Sequence, residues 1–245
     1  MSGESWLARE DIKDVGVLIH IARLAEHSER FTDMVAAMKK VIELKKPLGN
    51  EDRNLFSVAY KNVVGAHRAA WRVVSGMKSK DDDDKSPANE LRRKIVCELE
   101  EVCSEVLDML DNHLIPNETS DDGLVFYYKM KGDYLRYRTE VQDGPKRNES
   151  AAAAHQAYKD ATEKAEATLS VTHPIRLGLA LNYSVFYYEI LNSPNEACEL
   201  AQSAFDKAIN RLDQIQGESY QDSTLIMQLL RDNLTLWTPE RDANQ

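Results

Sequence analysis

Cysteine is scarce in this 245-residue chain: Cys97, Cys103 and Cys198 are the whole set. An odd, widely spaced trio excludes a disulfide-stapled scaffold and fits a reducing compartment. Long hydrophobic runs are missing as well. The longest apolar stretch, Val15 to Ala25, is broken by His20 and Arg23 and falls short of the ~20 residues a membrane-spanning helix needs, so membrane insertion is not expected. The opening MSGESWLARE lacks the basic segment and apolar core of a secretory signal. These absences point to a soluble chain in the cytoplasm, or in the nucleus as well. Positive charge is also in deficit, with 31 Lys and Arg against 41 Asp and Glu and a net charge of −10. No sequence-wide positive field exists to attract nucleic acid, so any anion site has to be local.

The signatures of catalysis are absent too. The histidines (His20, His27, His67, His113, His155 and His173) are scattered with no H-E-x-x-H, and Cys97 and Cys103 do not form C-x-x-C. There is no G-x-S-x-G, phosphate-binding loop or dinucleotide glycine fingerprint. No catalytic residue, metal ligand set or cofactor is assigned, and an enzyme is not the expected class. The acidic run Asp81 to Asp84 in KSKDDDDKSPA has neither the central glycine nor the terminal glutamate of a calcium loop, and reads as a solvated loop.

What is present is helix. The seven prolines (Pro47, Pro87, Pro116, Pro145, Pro174, Pro194 and Pro239) leave long intervals, none with the alternation of a half-buried strand. Helix-start signals sit at several breaks: Asn50 before Glu51 and Asp52, Ser86 before Pro87, and the cap, first-turn proline and glutamate of SPNE, Ser193 to Glu196. The pattern predicts an all-α chain of about nine helices, over 11–27, 32–45, 51–78, 87–114, 121–142, 149–170, 174–191, 194–213 and 219–237. Short connections between long helices favour antiparallel neighbours.

Four of these helices present polar groups in apolar surroundings. In YKNVVGAHRAAWR, Lys61 and Arg68 are seven residues apart, so they point within roughly 20° of one another and about 10 Å apart along the axis. They flank Val63, Val64, Ala66, Ala69, Ala70 and Trp71, where a lowered dielectric would strengthen the hold on a dianion. FYYKMKGDYLRYRTE repeats the spacing with Lys129 and Arg136, follows it with the Tyr137 hydroxyl, and places Asp133 and Glu140 where they can orient Arg136. Asn182 sits in the apolar stretch between Pro174 and Pro194, with Leu181, Val185 and Glu189 near it. In DSTLIMQLLRDNLTLW, Leu225, Leu229, Asn233 and Leu236 share an arc of roughly 80°, widened by Ile226 and Trp237. Each asparagine can offer its amide to the backbone of an extended peptide. Taken singly, each stripe also fits a salt-bridged or core-packing face.

Four blocks, RNLFSVAYKNVVGAHRAAWRVVS, LIPNETSDDGLVFYYKMKGDYLRY, THPIRLGLALNYSVFYYEILNSPNEAC and DSTLIMQLLRDNLTLWT, together with LAEHSERFTDM near the start, resemble the 14-3-3 family in order and over nearly the whole chain. The resemblance implies nine antiparallel helices around a concave groove, within a single domain over 1–238 followed by a short flexible tail over 239–245. Helices over 11–45 would serve dimerisation and those over 51–237 the groove. It implies an adaptor that binds phosphoserine and phosphothreonine motifs of client proteins as a homodimer, or as a heterodimer with related chains. By the same resemblance the phosphate falls to Lys61, Arg68, Arg136 and Tyr137. Asn182 and Asn233 would hold the peptide backbone, with Lys129 and Glu189 on the polar wall. The apolar wall would be Leu181, Val185, Leu225, Ile226, Leu229, Leu236 and Trp237. Leu24, Ala25 and Ser28 would meet Ala70, Val74 and Leu91 of the other subunit, with Arg30 to Glu98 and Asp33 to Lys94 as intersubunit ion pairs. The chain departs from the family pattern at Ala70, where several relatives have a phosphorylatable serine, at His67 in place of an arginine, at Leu91 in place of a tyrosine, and in a tail, PERDANQ, without an acidic run. The competing reading from the residues alone is a helical scaffold for unmodified acidic or amphipathic segments.

Overall fold

Among the described residues of the computed structural model (12–45, 47–77, 86–214 and 218–243, with the side chains of 214, 218, 219 and 239–243 excepted) there are nine α-helices and no strand. They are α1 (Val15–His27), α2 (Phe31–Leu44), α3 (Asn50–Gly76), α4 (Pro87–Met109), α5 (Asp121–Val141), α6 (Gly144–Thr168), α7 (Pro174–Glu189), α8 (Pro194–Ile209) and α9 (Glu218–Ala243). The acidic run Asp81 to Asp84 and the last two residues of the tail lie outside the described residues, and the first helix, expected from residue 11, opens only at Val15 because Asp14 caps it. The all-α expectation is met.

Local chemistry sets the boundaries. Asp14 caps α1 by accepting from the Val17 N–H at 3.0 Å, Ser86 accepts from Asn89 at 3.3 Å and Ser120 from Gly123 at 3.3 Å, each quenching an orphan donor of a first turn. Two expected caps differ. Gly49 takes the cap position of α3, while Asn50 is its first helical residue and its side-chain oxygen accepts from Arg53. Ser193 makes no side-chain capping bond, its hydroxyl donating instead to the Leu191 carbonyl at 3.4 Å, although Pro194 does open α8.

Prolines explain the remaining differences. Pro145 lies in the first turn of α6, which begins at Gly144 and not at 149; a first-turn proline gives up only an N–H that has no partner there. α4 does not continue regularly to 114: a wide π turn over Leu110–Leu114 and a 3-10 turn over Ile115–Asn117 absorb Pro116. α9 runs past 237, through Pro239 to Ala243. A proline there removes one rung, the bond to the Thr235 carbonyl, without forcing the rest of the ladder to end.

The chain divides into two compact units, Met1–Glu118 and Thr119–Gln245. In the first, α1 packs on α2, α2 on α3 and α3 on α4. Its core includes Leu18, Ala22, Met34, Met38, Phe56 and Leu99, all fully buried. Arg53 and Glu118 form an ion pair at 2.9 Å with side chains only 5% and 4% exposed, tying the start of α3 to the end of this unit. In the second, α5 lies against α6 and α7, while α8 and α9 close over α7. Ala154, Ala157, Ala161 and Ala165 are buried along α6, and such small side chains let the α5 backbone approach closely. Leu177, Cys198, Met227, Leu230 and Trp237 form the core between α7, α8 and α9.

Removing one member of a buried ion pair strands its partner's charge in a low dielectric. Glu118→Ala is therefore expected to destabilise the protein by on the order of 3 kcal/mol, read as a lower denaturation midpoint in urea. The exposed pair Arg23–Glu51 should be nearly silent to Glu51→Ala in the same assay.

Candidate functional site

The second unit gathers its polar side chains around one carboxylate. α5 places Lys129, Asp133 and Arg136 on one face, at four- and three-residue spacing, so they stack on successive turns. Asp133 is buried and is contacted by four side chains. Lys129 Nζ donates to Oδ2 at 2.9 Å, the Tyr158 hydroxyl from α6 to Oδ1 at 2.6 Å, and Asn182 Nδ2 from α7 lies 2.9 Å from both oxygens. Arg136 Nη2 completes the set at 3.5 Å from Oδ1. Burial works to keep Asp133 protonated, but the charge of Lys129, then that of Arg136, and the bonds from Tyr158 and Lys129 outweigh it and hold the carboxyl below its ordinary range.

Arg136 is buried as well, and its three nitrogens are held unequally. Nε donates to the Tyr158 oxygen at 3.1 Å. Nη1 and Nη2 make only longer contacts, 3.7 Å to Glu140 and 3.5 Å to Asp133. Its guanidinium carbon lies 4.8 Å from the centre of the neighbouring Tyr137 ring, within cation–π range. Burial opposes its charge, yet the oxygens of Tyr158, Tyr137 and Asp133 keep it firmly protonated. Tyr158 in turn is pushed well above its ordinary pKa by burial and the adjacent Asp133 charge, so its proton stays on the phenol.

The other expected groove residues of this unit fall into two sets. Leu181, Val185 and Ile226 are half-buried against the core, and the Lys129 stem runs beside Gly178, where an added Cβ would lie 3.6 Å from Lys129 Cε. Leu225, Leu229 and Leu236 are left 63%, 43% and 70% exposed, a large unpartnered apolar area on one helix. Asn233 is half-buried and Glu189 exposed. Trp237 is only 6% exposed and stacks on Tyr188, centroids 4.7 Å apart, so its indole lies in the core beneath the stripe.

In the first unit, α3 presents Lys61 exposed and Arg68 half-buried. Of the expected dimer residues, Leu24 and Leu91 are 56% and 49% exposed, whereas Ala25 is 6% exposed and belongs to the unit's own core. Ala70 and Val74 are half-buried. The Ser28 hydroxyl donates to the Leu24 carbonyl at 2.8 Å. Arg30 pairs with Asp33, Lys94 lies 3.8 Å from Glu98, and the His67 ring lies 3.7 Å from the same Glu98.

Sequence reasoning placed Asp133 and Glu140 beside Arg136 but missed Tyr158, which comes from another helix. Gly132, next to Asp133, is the trace it leaves in the sequence: a Cβ there would meet the Tyr158 ring at 2.7 Å. Among the described residues no group of acidic, histidine or cysteine side chains is arranged to hold a metal ion, and no helix is long and apolar enough to cross a membrane.

The lowered Asp133 carboxyl makes stability pH-dependent. A folded-state pKa below the unfolded value contributes stability that is complete above the unfolded value and disappears as pH falls through the folded one. Asp133→Asn should cost on the order of 2 kcal/mol at neutral pH. Its deficit relative to the parent protein should shrink as pH drops below 3.8, which urea denaturation at a series of pH values will show.

This architecture has close relatives. A model of the 14-3-3 protein family matches residues 21–238. The 14-3-3 protein beta/alpha-A of Xenopus laevis is 55% identical over 235 residues, spanning 95% of this chain and 96% of that protein. The 14-3-3 beta/alpha proteins of Homo sapiens and Gallus gallus are each 54% identical over the same length, with the same coverage. A match of this identity over this length, on an all-helical chain, establishes kinship. The chain belongs to the 14-3-3 family, non-enzymatic adaptors that form dimers and bind phosphoserine and phosphothreonine in client proteins.

Proposed function

We propose that Lys61, Arg68, Arg136 and Tyr137 bind the client phosphate. Asn182 and Asn233 take the flanking peptide backbone, with Lys129 and Glu189 on the polar wall, and Leu181, Val185, Leu225, Ile226, Leu229 and Leu236 take apolar client side chains, with Trp237 packed behind them. The protein then works by binding alone, in the cytoplasm and nucleus, masking or clamping its clients.

The charge balance of the Asp133 cluster supports this reading. Lys129 and Arg136 supply two positive charges, and Asp133 and Glu140 supply two negative ones, so the cluster is locally neutral. It offers donors without a net field. A phosphoserine dianion, with ≈ −1.5 to −2 charge and three acceptor oxygens, needs further cations, and Lys61 and Arg68 provide them. Neutral serine offers one hydroxyl and no charge, so discrimination follows from charge-assisted bonds of about 1.5–3 kcal/mol each. Asn182 fits its role as well. An ionised carboxylate only accepts, so the amide nitrogen must face Asp133, and the amide oxygen is left to accept from a client N–H.

For the dimer, Leu24 and Leu91 supply the exposed apolar area, with Ser28, Ala70 and Val74 around them. Arg30, Asp33, Lys94 and Glu98 exchange their present intrachain partners for Arg30 to Glu98 and Asp33 to Lys94 across the interface. Such an exchange is close to neutral, which leaves dimer strength to the leucines. Two sites on one dimer raise avidity for doubly phosphorylated clients by ~10² to 10⁴-fold where the spacing fits.

Fluorescence anisotropy with a labelled phosphoserine peptide and its unphosphorylated twin tests the clamp. The phosphorylated form should bind at least about 100-fold more tightly, and Lys61→Glu should abolish most of that difference. Equal affinity for the two forms would favour the scaffold for unmodified amphipathic segments, which the exposed leucines of α9 could also serve.

A further inference from the structure

We propose that Tyr158 is a positioning residue for phosphate recognition: its hydroxyl, wedged between Asp133 and Arg136, fixes the direction in which Arg136 presents its terminal nitrogens. The inference rests on the reading of Arg136 as a phosphate ligand given above, and deepens it.

The hydrogen-bond polarity at this point has one solution. A guanidinium Nε–H can only donate and an ionised carboxylate can only accept. The Tyr158 hydroxyl must therefore give its proton to Asp133, at 2.6 Å, and receive the Arg136 Nε–H, at 3.1 Å. A guanidinium is planar, so fixing Nε and the side-chain stem fixes the plane and aims the two NH₂ groups. Those groups make only the long contacts to Asp133 and Glu140, and they are the ones suited to a bidentate grip on phosphate.

The ring is fixed as firmly as the hydroxyl. On one side it abuts Gly132, where any Cβ would lie 2.7 Å from two of its carbons. On the other it stacks on Tyr183, with centroids 5.1 Å apart and planes 20° from parallel, and meets Phe186 at 5.5 Å. It is a fully buried tyrosine in a helix whose other buried positions are chiefly alanine. Phenylalanine would fill the same volume, so packing alone does not account for the oxygen. Glycine is unfavourable in mid-helix relative to alanine, and the space it leaves at 132 is what admits this ring.

The test is a double-mutant cycle in the full chain, with Tyr158→Phe, Arg136→Lys and the double variant titrated against the labelled phosphoserine peptide. Tyr158→Phe should weaken binding by about tenfold. In the Arg136→Lys background, where Nε is absent, the same change should add less than about twofold. Full multiplication of the two effects, or a Tyr158→Phe Kd within twofold of the parent, overturns the inference. If Arg136→Lys leaves binding intact, the clamp reading itself fails; if it weakens binding and Tyr158→Phe does not, only the positioning role fails. A second measurement needs no variant: in the parent protein the Arg136 Nε–H resonance should be protected from exchange before peptide is added and stay so afterwards, while its Nη resonances move. A rapidly exchanging Nε–H would contradict the role.

Discussion

The carboxylate of Asp133 bonds side chains from three different helices, and the polar architecture of the second unit depends on it. Placing a charge in a helical interior is unfavourable unless donors surround it. Here Lys129 and Arg136 come from α5, Tyr158 from α6 and Asn182 from α7. Arg136 keeps Nη1 and Asn182 its amide oxygen beyond these bonds, so the buried anion orients a donor on one helix and an acceptor on another. Preorganisation of this kind lowers the entropy that a ligand would otherwise lose in ordering them.

Close helix packing makes this arrangement possible. The alanines along α6 and the glycine at 132 bring two backbones near enough for a tyrosine on one helix to reach between an aspartate and an arginine on the other. Overpacking at such a contact ordinarily costs 1–3 kcal/mol. Here it would also displace the oxygen that joins the two charges. On the proposed function, stability and recognition converge on the same few atoms in α5 and α6. On α9 they separate, with Met227, Leu230 and Trp237 turned into the core and Leu225, Leu229 and Leu236 left outside it.

Much of this was legible in the sequence because it is periodic. Seven-residue cation spacing, proline punctuation and serine caps belong to single helices, and the structure agrees with them to within a few residues at most ends. Proline is the exception, because at Pro145 it opens a first turn and at Pro239 it removes a single rung, and neither ends a helix. The orientation of Arg136 was only half legible: Asp133 and Glu140 share its helix, but Tyr158 is 22 residues away in sequence. Burial was the other blind spot. Nothing in the spacing of Ala25 or Trp237 separates a surface stripe from a core stripe, since both follow the helical period, and only packing against neighbouring helices decides.

Crystal structures of the protein with and without a bound phosphoserine peptide will show whether the Asp133 cluster is preorganised. The Asp133, Tyr158 and Arg136 hydrogen bonds should already be made in the free protein and persist in the complex, with these atoms moving by less than about 1 Å and the phosphate contacting Lys61, Arg68, Arg136 and Tyr137. A complex in which Arg136 has left Tyr158 to reach the phosphate, or in which the phosphate lies away from these four side chains, would contradict that expectation.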